Sequence, residues 1–308
     1  MLTVNFLGFK LNCPLTTASG TFGYGECYQD FFDVNELGIL TTKGITLEPR
    51  SGNPQPRLAE VTGGIINAIG LENSGFDQFV SDIVPTFKAF KIPVMVNLNG
   101  KTIEEYQTLA AAINKIKVIA FVELNISCPN VKAGGILFGT DLELTRKVVR
   151  AVRAVLPDKK LIVKLSPAVS DIKKFALICE EEKADGISLI NTIPAMQINY
   201  QTGKPTLGNI IGGLSGPCIK PIAVRMVYEV ASVVKIPIIG IGGVSCYEDV
   251  LEFMMAGASV VGIGTSIFRS PEMITEIKRK LKEYCIANNL NSIEEIIGLA
   301  QPRRKDYE

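Results

Sequence analysis

Residues 238–265 read IIGIGGVSCYEDVLEFMMAGASVVGIGT and contain one full repeat of the architecture. A short apolar run, 238–241, ends in Gly242-Gly243. A segment of helical periodicity follows and closes at Gly257. A second apolar run, 260–263, ends in Gly264-Thr265. Runs of Val and Ile without polar alternation are how parallel strands covered on both faces read. Outward from this stretch, similar runs occupy 15–18, 39–42, 94–97, 121–125, 161–165 and 186–190, mostly separated by one helical segment. Eight such strands predict an α/β chain folded as a (β/α)8 TIM barrel. A doubly wound sheet has fewer strands and carries its glycine fingerprint after the first.

Helix signals mark the intervening segments. Thr102 caps 103–115, with Glu105 placed to complete a capping box. Asp141 caps 142–155, Ser170 precedes a helix over 171–183, Ser245 precedes 247–256, and Pro271 opens 271–288. Residues 2–12 read as an N-terminal hairpin closing the barrel bottom. Long excursions follow strand two (45–73), strand four (129–139) and strand six (192–216); loops of this length in a compact domain are uncommon unless functional. The expectation is one domain over residues 1–300 and a charged C-terminal tail over 301–308.

Composition narrows the chemistry. The 308 residues carry a net charge of +1, which argues against nucleic acid or an anionic membrane as partner. No apolar run reaches the ~18 residues a membrane span needs. The start, MLTVNFLGFKLN, lacks the features of a signal peptide, so a soluble cytoplasmic protein is expected. Histidine is absent, which removes Ser-His-Asp triads, Cys-His dyads and His-ligated zinc. The seven cysteines are scattered without a C-x-x-C pair, so no metal site or disulfide scaffold is expected and most read as small buried residues.

The strand ends carry the functional signal. In order they bear Ser19, Lys43, Asn97, Asn125, Lys164, Asn191, Gly242-Gly243 and Gly264-Thr265. Polar or glycine residues at all of them, on the rim where barrel sites form, point to a large polar ligand. The two glycine turns either permit tight connections or close backbone N–H groups around a phosphate. Two in succession favour phosphate. Lys43 and Lys164, each ending an apolar strand, could be snorkelling side chains paired with a carboxylate, anion clamps or Schiff-base amines. Asn67, Asn125 and Asn191 offer paired donor and acceptor edges suited to a planar amide-containing ring. Cys128 lies just past strand four. Taken alone, such a cysteine is more often a small buried residue; the polar rim and the absence of histidine favour a base.

Taken together these residues resemble the dihydroorotate dehydrogenase family, in particular the catalytic subunit of its class 1B, NAD-linked enzymes. The motifs are Ala18-Ser19-Gly20-Thr21-Phe22-Gly23, Thr42-Lys43-Gly44, Asn67-Ala68-Ile69-Gly70-Leu71, Asn125-Ile126-Ser127-Cys128-Pro129-Asn130, Leu189-Ile190-Asn191-Thr192 and the two glycine turns. The resemblance implies an FMN flavoprotein oxidoreductase of pyrimidine biosynthesis that oxidises dihydroorotate to orotate. It assigns Ser19, Lys43, Gly44, Asn97, Asn125, Lys164, Ile190, Gly216, Gly242, Gly243, Gly264 and Thr265 to FMN. It assigns Lys43, Asn67, Ala68, Ile69, Gly70, Leu71, Asn125, Asn191 and Thr192 to substrate, and Cys128 to the general base. Cys128 would take a proton from C5 of dihydroorotate while a hydride passes from C6 to flavin N5.

The resemblance further implies a partner subunit carrying FAD and a 2Fe–2S cluster that passes electrons to NAD, in a heterotetramer built on a catalytic-subunit homodimer. Alternatives are a class 1A fumarate-linked enzyme, a dihydropyrimidine dehydrogenase-like enzyme and, outside this chemistry, a Schiff-base phosphosugar lyase.

Overall fold

The structure, a computed structural model, describes residues 1–127 and 138–302. Its central sheet has eight parallel strands: β1 (Leu15–Thr17), β2 (Leu40–Thr41), β3 (Val94–Leu98), β4 (Ile119–Asn125), β5 (Lys160–Lys164), β6 (Gly186–Leu189), β7 (Ile238–Ile241) and β8 (Val260–Ile263). They pair in sequence order, and β8 returns to pair with β1. The remaining seam, β1 to β2, is closed by Gly38 and Ile39 N–H groups donating to the Leu15 carbonyl. All eight strands of the expected barrel are present within two residues of their predicted bounds.

β3, β6, β7 and β8 are buried along their whole length, as a barrel wall between a filled interior and a helical coat requires. The interior is not purely apolar. Thr16 and Thr41 hydroxyls pair at 2.8 Å, and Glu123 meets Ser188 at 2.7 Å. Buried polar groups are tolerated where each finds a partner.

The expected hairpin forms from Val4–Phe6 and Phe9–Leu11. Its two-residue loop, Leu7-Gly8, has positive φ at both positions, the geometry that matches strand twist in a tight hairpin. The Phe6 and Phe9 rings pack on Phe121, near the start of β4, with centroids 5.9 and 4.7 Å away. That closes the bottom of the barrel and leaves the opposite rim for chemistry.

The coat includes α1 (Ile103–Asn114), α2 (Leu142–Val155), α3 (Ile172–Glu181), α4 (Lys220–Ala231), α5 (Tyr247–Ala256) and α6 (Met273–Ala287). Their caps differ in detail from expectation. Thr102 does cap α1, but Glu105 reaches the Lys101 N–H, so only half of the predicted box forms. Asp171, not Ser170, caps α3. At α5, Asp249 takes the N–H groups of both Ser245 and Cys246 at 2.7 and 3.1 Å. Glu105 and Asp249 thus serve N–H groups just ahead of their helices, while Asp171 takes the Lys173 N–H inside the first turn of α3.

Glu182, just past α3, is gripped by Arg150 and Arg146 of α2. Hydrogen bonds from Arg150, then Arg146, hold its carboxyl down at about 2 against the burial that would raise it. A depressed carboxyl stabilises the fold above its unfolded value, about 4.3, and that contribution is lost as pH falls. Glu182→Gln should therefore lower stability at neutral pH. The gap to wild type should close between about pH 4 and the folded value, about 2. Urea unfolding across that range checks it; a gap independent of pH would exclude the clamp.

The excursions after β2 and β6 do more than loop. Leu58–Val61 and Gly64–Asn67 pair with Ile193–Ala195 and Gly212–Ser215 in one antiparallel sheet, in which Asn67 faces Gly213. Two segments separated by more than a hundred residues thus build one wall above the rim. Periodicity in either alone cannot show such a pairing. The excursion expected after strand four lies largely outside the described residues, as do residues 303–308 of the tail.

Candidate active site

One cavity of about 270 Å³ opens at the C-terminal ends of the strands. Every residue expected to hold the cofactor lines it: Ser19, Lys43, Gly44, Asn97, Asn125, Lys164, Ile190, Gly216, Gly242, Gly243, Gly264 and Thr265. So do Asn67, Ile69, Gly70, Leu71, Asn191 and Thr192 of the expected substrate set. Ala68 does not. It is fully buried in a small core with Ala59, Ile66 and Leu207, on the side of the excursion sheet turned away from the cavity. Alternation along an extended segment puts Ala68 opposite its neighbours. Cys128 lies outside the described residues; Asn125 and Ser127 before it are described.

The glycine turns earn their composition. Gly242 and Gly243 have φ of +136° and +76°, and a Cβ on Gly243 would stand 2.8 Å from the Gly216 carbonyl. Gly216, at φ +109°, would put a Cβ 2.6 Å from Gly64 Cα. Backbone therefore closes on backbone here. The N–H groups of Gly243, Gly264 and Thr265 have no acceptor among the described residues. Unspent backbone donors at adjacent turns are what a phosphate group needs. Lys220 stiffens the turn from behind, its ammonium 2.7 Å from both Asp249 and Glu252.

Gly216→Ala forces a side chain into that contact from a left-handed conformation. The expected cost is about 1–3 kcal/mol of stability, with weakened retention of a phosphorylated ligand. Thermal unfolding and ligand titration of the variant measure both. A variant as stable and as tightly bound as wild type would show that the close approach is not needed.

Asn125 and Asn191 form one connected group, and Asn67 is anchored separately. Asn125 Oδ1 accepts from Ser127 Oγ at 2.9 Å, and Asn191 Nδ2 donates to Ser127 Oγ at 2.6 Å. Asn191 Oδ1 in turn accepts the Thr192 N–H at 2.8 Å, and Asn67 donates to the Gly213 carbonyl across the excursion sheet. Their orientations are thus locked before any ligand arrives, which is how a flat ring with amide edges can be held in register.

Among the described residues, two cations line the cavity, Lys43 and Lys164. Lys164 is 5% exposed and stands 3.6 Å from Glu123, a carboxylate with no exposed surface. Lys43 is half-buried, with no side-chain partner among the described residues. Among the described lining residues Glu72 is the one acid, and Arg57 pairs with it. The cavity therefore favours anions. Its apolar patches, including Ile65, Ile69, Ile190 and Val244, suit the faces of an aromatic ring.

Sequence reading missed Ser215, Ser127 and Glu123. Ser215 hydrogen-bonds Thr265 at 2.7 Å. Glu123 had a signal, since a lone acid inside the apolar run Phe-Val-Glu-Leu needs a buried partner. Among the described cysteines, Cys13, Cys179 and Cys285 are buried as expected, whereas Cys27 and Cys218 are exposed. Burial pushes the Cys13 thiol up to about 11 and raises Cys179 as well. Neither can ionise at neutral pH. Among the described residues no cluster of His, Cys, Asp or Glu could hold a metal ion, and no helix is long and apolar enough to cross a membrane.

The family model described as dihydroorotate dehydrogenase matches residues 1–285. A dihydroorotate dehydrogenase B (NAD(+)) catalytic subunit of Brachyspira hyodysenteriae is 50% identical over 299 residues, covering 97% of this chain and 98% of that one. The protein of the same name from Geobacter metallireducens is 47% identical over 300 residues, covering 97% and 98%. Among solved structures, the Eimeria tenella dihydroorotate dehydrogenase in complex with ferulenol superposes with a TM-score of 0.81. It covers 98% of this chain and 89% of that one at 21% identity, and so speaks to fold alone.

Proposed function

This chain belongs to the dihydroorotate dehydrogenase family, and on that basis we propose that it oxidises dihydroorotate to orotate in pyrimidine biosynthesis as an NAD-linked, FMN-dependent catalytic subunit. The observation that carries the reading is the convergence of the FMN and substrate positions, Ala68 excepted, on one cavity holding two lysines and unspent backbone donors.

The residues present suit FMN. Gly242, Gly243, Gly264 and Thr265 would take the phosphate, where any Cβ on Gly243 would collide with backbone. Ser19, Gly44, Asn97, Ile190 and Gly216 complete the cradle, and Lys164 would supply positive charge beside the ring. Bound FMN would supply the hydride acceptor. Lys43, Asn67, Asn125, Asn191 and Thr192 would orient the pyrimidine, with Lys43 available to its carboxylate. Cys128 is assigned the proton on C5, a role resting on the family motif and on the absence of histidine.

The relatives' names specify NAD(+) and a catalytic subunit, which supports NAD over fumarate as acceptor and a partner subunit for electron transfer. FAD and a 2Fe–2S cluster on that partner, and a catalytic-subunit dimer within a heterotetramer, complete the proposal. Dihydroorotate added anaerobically to the purified protein should bleach the flavin band. Bound FMN that does not bleach would sink the substrate assignment.

A further inference from the structure

Four neighbouring strands each contribute one polar side chain to a buried cluster beneath the cavity: Asn97 of β3, Glu123 of β4, Lys164 of β5 and Ser188 of β6. Glu123 is its centre. Its Oε1 accepts from Ser188 Oγ at 2.7 Å, and its Oε2 accepts from Asn97 Nδ2 at 2.6 Å. Lys164 Nζ stands 3.6 Å from Oε2, close enough for charge pairing but beyond a hydrogen bond. Neutral donors therefore occupy the carboxylate, while the ammonium keeps its N–H groups for the cavity it lines. Asn97 is oriented by the same contact, and its Oδ1 accepts from Asn99.

We propose that Glu123 is a positioning residue that sets the electrostatics of the flavin site by fixing Asn97 and placing a buried negative charge behind Lys164. This rests on the flavin reading above. In a dry interior a fixed charge acts strongly on its neighbours. Glu123 partly offsets Lys164, so it limits how far the site favours the reduced, more negative flavin. Removing its charge should make reduction easier.

Glu123→Gln isolates the charge. A glutamine can accept from Asn97 through its carbonyl and donate to Ser188, so the hydrogen bonds survive while the charge does not. The flavin midpoint potential should move positive, with reduced flavin bound at least tenfold more tightly relative to oxidised, about 30 mV for two electrons. Glu123→Asp keeps the charge but withdraws it by one methylene; its potential should stay near wild type although its packing is worse. A purely structural role predicts the reverse, a benign Gln and a damaging Asp.

Reductive titration against a reference dye gives the potentials, and FMN fluorescence gives the affinities. Should Glu123→Gln fold poorly, Glu123→Asp keeps the proposal falsifiable, because a positive shift with the charge retained and FMN bound would overturn it. An unmoved potential in Glu123→Gln, or an equal shift in Glu123→Asp, overturns the proposal while FMN remains bound. Wild-type protein that holds no FMN overturns the flavin reading and this inference with it.

Discussion

Cys128→Ala is expected to keep FMN bound and to lose about 10²–10⁴-fold in the rate of dihydroorotate oxidation, the usual contribution of a positioned general base. The size of the effect follows from what the chain lacks. Without histidine, no second side chain with a near-neutral ordinary pKa stands ready to take the proton from carbon. The described cysteines offer no substitute: Cys13 is pushed up to about 11 and Cys246 likewise to about 11, both chiefly by burial. Cys128→Ser should fall between wild type and alanine, because a hydroxyl is a far weaker acid than a thiol of pKa about 8.5 and ionises less at neutral pH. Stopped-flow reduction by dihydroorotate separates this step from later electron transfer. A serine variant with FMN bound and an undiminished rate of reduction would remove Cys128 from the mechanism.

Lys164→Met should be the most damaging change to the fold among the site residues. It leaves Glu123, fully buried, without its counter-ion. Breaking a buried pair from one side costs about 3–5 kcal/mol, much more than losing an exposed pair at about 0–1 kcal/mol. The apoprotein should show that loss in urea unfolding, independently of any ligand. The flavin should also be held more weakly, since the cavity loses one of the two lysines among its described lining residues. A variant within about 1 kcal/mol of wild type would mean that the pair behaves like a surface contact despite its burial.

The strands, the order of the helices and the rim residues were legible because each depends on local signals. Val260–Ile263 is a strand in the sequence because an unbroken run of β-branched residues and glycine has nowhere to go but a buried sheet. Gly242 and Gly243 were readable as a special turn because side chains are scarce where backbone must turn and approach closely. Even the cofactor set, inferred by motif, landed on one cavity, since strand ends of a barrel converge by construction.

What tertiary structure decided is what depends on partners distant in the chain. Ala68 belongs to a satellite core and not to the cavity, because the excursion after β2 pairs with the excursion after β6 and so sets which face each residue takes. At the start of α5, Asp249 reaches back to the Ser245 and Cys246 N–H groups and also answers Lys220 on α4. Glu123 could be flagged from sequence as an acid out of place, but not as the hub joining Asn97, Lys164 and Ser188. Those residues meet because closing the barrel stacks neighbouring strands in register, and in a low-dielectric interior each polar group must then find its partner across strands.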